Sequence, residues 1–201
     1  MRIKVPKGMA KKKRIPRYLQ KTPVRVPAVY KVGNHSRHFT IMVPVLKTDG
    51  TIKLDGNGMI IREEVSENYE WNQKHRNQHK AGSGLWTVPE NIEGIIFLKC
   101  RNNGAFCKWK GNTHMGWGVC NHQGQAQVLG QGVTSNNQMI DVKVCKFVEG
   151  NPGLWHGYPI DYRRDNEDVI CDNAIHYWER LNLIDKSEIT DIQSKEDSSL
   201  I

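Results

Sequence analysis

The sequence predicts an α+β fold: a β-rich antiparallel sheet with one central helix and two C-terminal helices, preceded by an extended basic arm. Three observations predict it. Short runs dominated by β-branched and aromatic residues, parted by Gly- and Asn-containing turns, recur from residue 26 to residue 148. Apolar residues at helical spacing occur in 62–82 and again in 165–195. The first 25 residues carry ten cations and no acid, and prolines interrupt them.

The arm comes first. Arg2, Lys4, Lys7, Lys11, Lys12, Lys13, Arg14, Arg17, Lys21 and Arg25 repel one another, while Pro6, Pro16, Pro23 and Pro27 oppose a helix. Of the net +8, none belongs to the body: the other 176 residues hold 19 basic and 21 acidic groups. This asymmetry is the strongest functional signal in the chain. From "VPAVYKV" (26–32) onward the pattern is that of strands, and "RHFTIMVPVLK" (37–47) continues it. "KTDGTIKLDGNGMIIR" (47–62) has two Asp-Gly turns between apolar runs, which is hairpin chemistry because Gly supplies positive φ.

"REEVSENYEWNQKHRNQHKAG" (62–82) is expected to be the central helix, with Ile61, Val65, Tyr69 and Asn72 on one face and Gly82 as a stop. An antiparallel meander is expected from Gly94 to Val148. Its first pair is "GIIFLKC" and "AFCKWK", joined at Asn103-Gly104. The glycines at 116, 118, 130 and 132 mark close backbone approach within the later strands. "DNEDVICDNAIHYWERLNLI" (165–184) places Ile170, Ala174, Ile175, Trp178 and Leu181 at helical spacing, with Asp165 or Asn166 as cap. A second helix opens at Asp185, where Glu188 completes a capping box. The domain reading is an arm over 1–25, one α+β domain over 26–196 and a frayed tail over 197–201.

Five cysteines without a CxxC pair, and no apolar stretch behind the N-terminal charges, point to an intracellular protein. It would be cytoplasmic, or nuclear in a eukaryote, where "KKKRIPR" fits a localisation patch. No apolar run reaches the length of a membrane span, so no membrane is expected.

Cations on an extended segment release counterions from phosphates, so the leading expectation is nucleic-acid binding, DNA and RNA undistinguished. Lys74, Arg76 and Lys80 would extend that surface beyond Lys4, Lys7, Lys11, Lys12, Lys13, Arg14, Arg17, Lys21 and Arg25. "GLWHGYPIDYRR" (153–164) admits two readings. In one, His156 is a general acid or base, Arg163 or Arg164 clamps a phosphate and Tyr158 or Trp155 stacks a base, which is all a metal-independent ribonuclease needs. In the other, Trp155, Tyr158 and Ile160 pin a long loop to the core. A metal-dependent nuclease would instead hold Mg²⁺ at Asp141, with Lys143 steadying water and Glu93 or Asp55 as second acid.

No other cofactor is expected. His75 and His79 share ligand spacing but are surrounded by cations. Cys107, His114, Cys120 and His122 match no zinc knuckle, since each Cys sits in a strand-like run. The third class is a non-enzymatic interaction module. Five acids against two lysines between Asp185 and Asp197 would repel DNA, so the C-terminal helices suit a protein partner better.

Overall fold

Two nine-residue strands of alternating polarity lay the floor of the fold. The computed structural model describes residues 30–32, 36–76, 83–109, 113–164 and 168–201; the basic arm, Lys80, His79, Asp165 and Asn166 lie outside them. Strand β1 (Tyr30–Val32) pairs β2 (Ser36–Pro44), which pairs β3 (Arg62–Glu70), all antiparallel. The two predicted turns between β2 and β3 form hairpins, bridged at Leu46–Ile52 and Leu54–Ile60, with Gly50 and Gly58 at positive φ. The chain then makes a short 3-10 turn (Gln73–His75), β4 (Leu85–Trp86) and helix α1 (Glu90–Asn103). Next come β5 (Phe106–Lys108), β6 (His114–His122), β7 (Gln125–Gln127), β8 (Gly130–Val133), β9 (Met139–Val142), β10 (Val144–Asn151) and β11 (Leu154–Pro159). Helices α2 (Asp172–Arg180) and α3 (Lys186–Ser194) end the chain.

The fold is α+β with three α-helices among the described residues, and its large sheet runs β1-β2-β3-β11-β10-β6-β5, with β7 on β6. A second sheet runs β4-β8-β9. The expected antiparallel sheet is in fact mixed, because β11 lies parallel to β3 through Leu154–Asn68 and Trp155–Tyr69. Parallel neighbours need a long crossover, and here everything from the 3-10 turn to β10 supplies it.

The central helix is not where the sequence places it. Residues 62–70 form β3, whose inward face is Val65, Glu67 and Tyr69. Val65 and Tyr69 are four apart, a spacing common to a helix face and to every second strand position. Glu67 between them is buried, and an acid there hides the period of two. The helix lies instead at Glu90–Asn103, across the run expected to be a strand. Ile92, Ile96 and Cys100 are buried at i, i+4, i+8, and the acids Glu90 and Glu93 stand in its first turn with Arg101 in its last. Gly104 does take positive φ, at 77°, but as a helix stop and not a hairpin turn. Its N–H and that of Ala105 reach the carbonyls of Arg101 and Cys100, a Schellman closure.

Phe97 of α1 sits at the centre of the core. Its ring meets Phe39 of β2, Tyr69 of β3, Phe147 of β10 and Trp155 of β11 at centroid distances of 6.1, 4.6, 5.4 and 5.6 Å. The sheet thus curls around one helix, and the predicted close approach is visible at β6. A Cβ built on Gly118 would fall 2.3 Å from Cγ2 of Ile96 and 2.9 Å from Cε2 of Phe147.

At the C-terminus the capping box is present, with Asp185 accepting from Ser187 and Glu188 N–H, and Glu188 accepting from Asp185 N–H. Helix α2 starts at Asp172 behind Cys171, seven residues later than the expected opening at Asp165, and buries Ala174, Ile175 and Trp178. Leu181 is exposed, since α2 has ended before it. The tail expected to fray is docked: Leu200 is fully buried, its carbonyl accepts from Lys143 N–H at 3.1 Å, and Glu196 O accepts from the Tyr162 hydroxyl. No helix among the described residues is long and apolar enough to cross a membrane.

Because Gly118 is where α1 seats against β6, Gly118→Ala is expected to destabilise the fold by about 1–3 kcal/mol. Urea unfolding followed by tryptophan fluorescence would show the lowered midpoint.

Candidate functional site

Residues 154–159 of the aromatic stretch are strand, not loop, and strand alternation sends its side chains to opposite faces. Trp155 is fully buried beneath the sheet. His156 and Tyr158 face the other way, where their cross-strand partners are Val148 and Lys146 of β10. Beyond Pro159 the anchoring reading holds for Ile160 and Tyr162, both buried. One stretch therefore does both jobs.

On that second face lies a cavity of about 310 Å³, at the small end of the range for ligand sites. Its chemistry comes from Lys74, His75, His156, Tyr158, Arg164 and the Lys146–Asp168 pair. The 3-10 turn delivers His75 as a lid on Tyr158: the rings stack at 4.9 Å with 19° between planes. His156 follows on Tyr158 at 6.2 Å and 29°. Three rings thus stand in a row. The turn is fixed because Asn72 caps it through Lys74 N–H, and because His75 Nδ1 lies 3.0 Å from Gly84 O. Since a carbonyl only accepts, Nδ1 carries the proton, and buried Nε2 is a bare acceptor with no hydrogen-bond partner among the described residues.

The carboxylates of the wall are claimed. Asp168 accepts from Lys146 Nζ at 2.9 Å. Asp161 accepts from Arg163 Nε at 2.8 Å and Nη2 at 2.9 Å. Arg163 also reaches Asp197, so the expected phosphate clamp is spent on locking the tail to β11 and does not line the cavity. Its neighbour Arg164 lines it instead. Arg76 is likewise withdrawn from the expected phosphate surface, as it pairs with buried Glu93 and donates to Val88 O at 2.8 Å. Lys74 remains exposed.

The metal readings are not assembled. Asp141 is exposed on β9 near Gln131, and Lys143 Nζ donates to Ser199 O. Of the second acids, Glu93 is buried with Arg76 and Tyr69, and Asp55 caps its own turn. His114 bonds Glu149, while Cys107 hydrogen-bonds Cys171, so the cysteine–histidine set is split. No group of three His, Cys, Asp or Glu side chains arranged to hold a metal occurs among the described residues.

Of the residues expected from the sequence, His156, Tyr158, Lys74 and Arg164 line this cavity and Arg163 does not. His75 was not expected in the row, although "WNQKH" offered the Asn cap that fixes it. No protein-family model matches the chain, and neither a curated protein nor a solved structure does.

Burial pushes the His75 imidazole down to about 4, with Lys74 and His156 adding to it. Burial also lowers His156, again with Lys74 opposing a charge. Both rings are neutral near pH 7. Burial pushes the Glu93 carboxyl up to about 7 against the pull of Arg76. The two shifts oppose each other in stability. The Glu93 contribution is present below its ordinary value of 4.5 and lost as pH rises to about 7. The His75 contribution is present above 6.5 and lost as pH falls to about 4. Each is worth at most about 3 kcal/mol, so they nearly cancel where they overlap. Urea midpoints across that range read the balance of these two together with His156, whose lowered imidazole acts in the same direction as His75. Stability should rise with pH in Glu93→Gln and fall with pH in His75→Asn.

Proposed function

We propose that this chain binds nucleic acid, with the arm cations on the phosphates and the cavity beside β11 receiving one unstacked base with its phosphate. The observation that carries the reading is the row His75–Tyr158–His156 in a cavity that also holds Lys74 and Arg164. Every base has a π-face, so a row of rings beside cations is a platform for single strands that needs no sequence code. A base extends the row beyond His156, and its phosphate lies with Lys74 and Arg164. His75 Nε2 supplies an acceptor for a base amine or a sugar hydroxyl. The ten cations of residues 1–25 support the same partner by counterion release.

Cleavage is the second reading, favoured by two imidazoles and an arginine in one cavity. Metal-independent phosphodiester cleavage needs one imidazole to accept a proton and another to give one. Burial keeps both neutral, so a base is present and an acid is lacking. Binding therefore takes precedence.

The test is salt-dependent binding of labelled single- and double-stranded DNA and RNA to three proteins: the full chain, a chain without residues 1–25, and Tyr158→Ala. With five phosphates contacted, the log–log slope on duplex DNA should be about −4.5 and should collapse on truncation. Tyr158→Ala should weaken single-strand binding about tenfold and leave the slope unchanged. No binding at low salt would sink the reading and point to an acidic protein partner at the C-terminal helices. Release of shortened product, abolished by His156→Ala, would replace binding by cleavage.

A further inference from the structure

A second cavity, of about 350 Å³, is lined from β2, β3, α1, β5, β6 and the end of β10, and its polar groups are separate from those of the first. Arg101, His114 and the buried carboxyls Glu67 and Glu149 all line it, each carboxyl bonded to one of the two. We infer that this cavity is a ligand site for the oxyanion of a small acid, a phosphate monoester or a carboxylate, gripped by Arg101 and His114.

Arg101 closes α1 with its guanidinium 3% exposed as a residue. Nε lies 3.1 and 3.0 Å from the two oxygens of Glu67, and Nη2 bonds the same carboxylate. That is one edge of the fork. The other end, Nη1, has no hydrogen-bond partner among the described residues. The group cannot swing to find one, because its carbon lies 4.0 Å from the Phe106 ring centre and 4.5 Å from that of Trp155. A role confined to the Glu67 pair explains Nε and Nη2 and leaves Nη1 as an unsatisfied buried donor. An oxyanion satisfies it through charge-assisted bonds.

His114 shares the same aromatic wall, stacking on Trp155 at 6.4 Å and meeting Phe106 edge-on at 5.8 Å. Glu149 fixes it. One carboxylate oxygen accepts from Gly153 N–H at 2.6 Å and the other contacts His114 Nδ1 at 2.8 Å. These bonds hold the Glu149 carboxyl below the ordinary range despite its burial. An ionised carboxylate only accepts, so Nδ1 carries the proton and Nε2 is the end left for a ligand. Nε2 so left is an acceptor, which takes a hydrogen bond from the remaining hydroxyl of a singly ionised phosphate. Glu67 is neutralised by Arg101. Exposed Glu63 and Lys108 also line the cavity, with opposite signs.

The test is calorimetric titration of the full chain with inorganic phosphate and, separately, with acetate, read beside the ring resonances of His114. Saturable binding that shifts the His114 resonances is expected, and the tighter anion names the source. His114→Ala, at a partly exposed position, should weaken binding at least tenfold while the protein stays folded. Glu149→Gln should weaken it as well. His156→Ala, in the first cavity, should leave it unchanged, which separates this site from the nucleic-acid cavity. Absence of saturable binding by either anion would overturn the inference. So would equal affinity in His114→Ala, or a loss in His156→Ala as large as in His114→Ala.

Discussion

Helix α1 carries a carboxylate in its first turn and a guanidinium in its last, and both are buried inside the curl of the sheet. Glu93 is 1% exposed and Arg101 3%. An unpaired charge in such a place would cost several kcal/mol, so the sheet and turn must bring counter-charges to both ends. Arg76 and the Tyr69 hydroxyl meet Glu93, and Glu67 meets Arg101. These pairs fix the helix in register along its axis, which the ring contacts of Phe97 alone, being without direction, do not do. They also tie β3 and the 3-10 turn to the helix at two levels. The placement of His75, one residue before Arg76, follows from the first pair.

That constraint sets what surrounds each cation. Counting charges along the chain treats Lys74 and Arg76 as equals, and Arg163 and Arg164 likewise. The fold separates them. Arg76 and Arg163 satisfy buried acids, Glu93 and Asp161, whose solvation has been lost. Lys74 and Arg164 stand at the cavity. An Arg is drawn inward where a planar fork can bond a carboxylate at two points, and Arg163 does so with Nε and Nη2.

Much of the fold was legible because local chemistry and tertiary structure agreed. β2, the two Gly-containing turns after it, β6, β10 and the capping box at Asp185 are all as their residues imply. The exchange of strand and helix between 62 and 103 has a specific cause. In β3 the core position between Val65 and Tyr69 is an acid, and in α1 two core positions are ionisable. The polarity pattern was therefore inverted at the very residues that form the buried pairs. Asn103-Gly104 was read correctly as a site of positive φ; a hairpin turn and a Schellman closure both use it. The site was legible in part for the same reason. His156 and Tyr158 stand out in their stretch, whereas Arg101 and Glu149 acquire chemistry only once α1 is a helix packed inside the sheet.

Strand β11 then carries a consequence of its own geometry. Alternation puts Trp155 into the wall shared by Arg101 and His114, and puts His156 and Tyr158 into the row begun by His75. β11 is also the strand that joins the two parts of the large sheet, antiparallel to β10 on one edge and parallel to β3 on the other through two residue pairs. The Trp155 ring touches Arg101 and His114, and the backbone that carries it also carries His156 and Tyr158, so one strand serves both sets of groups.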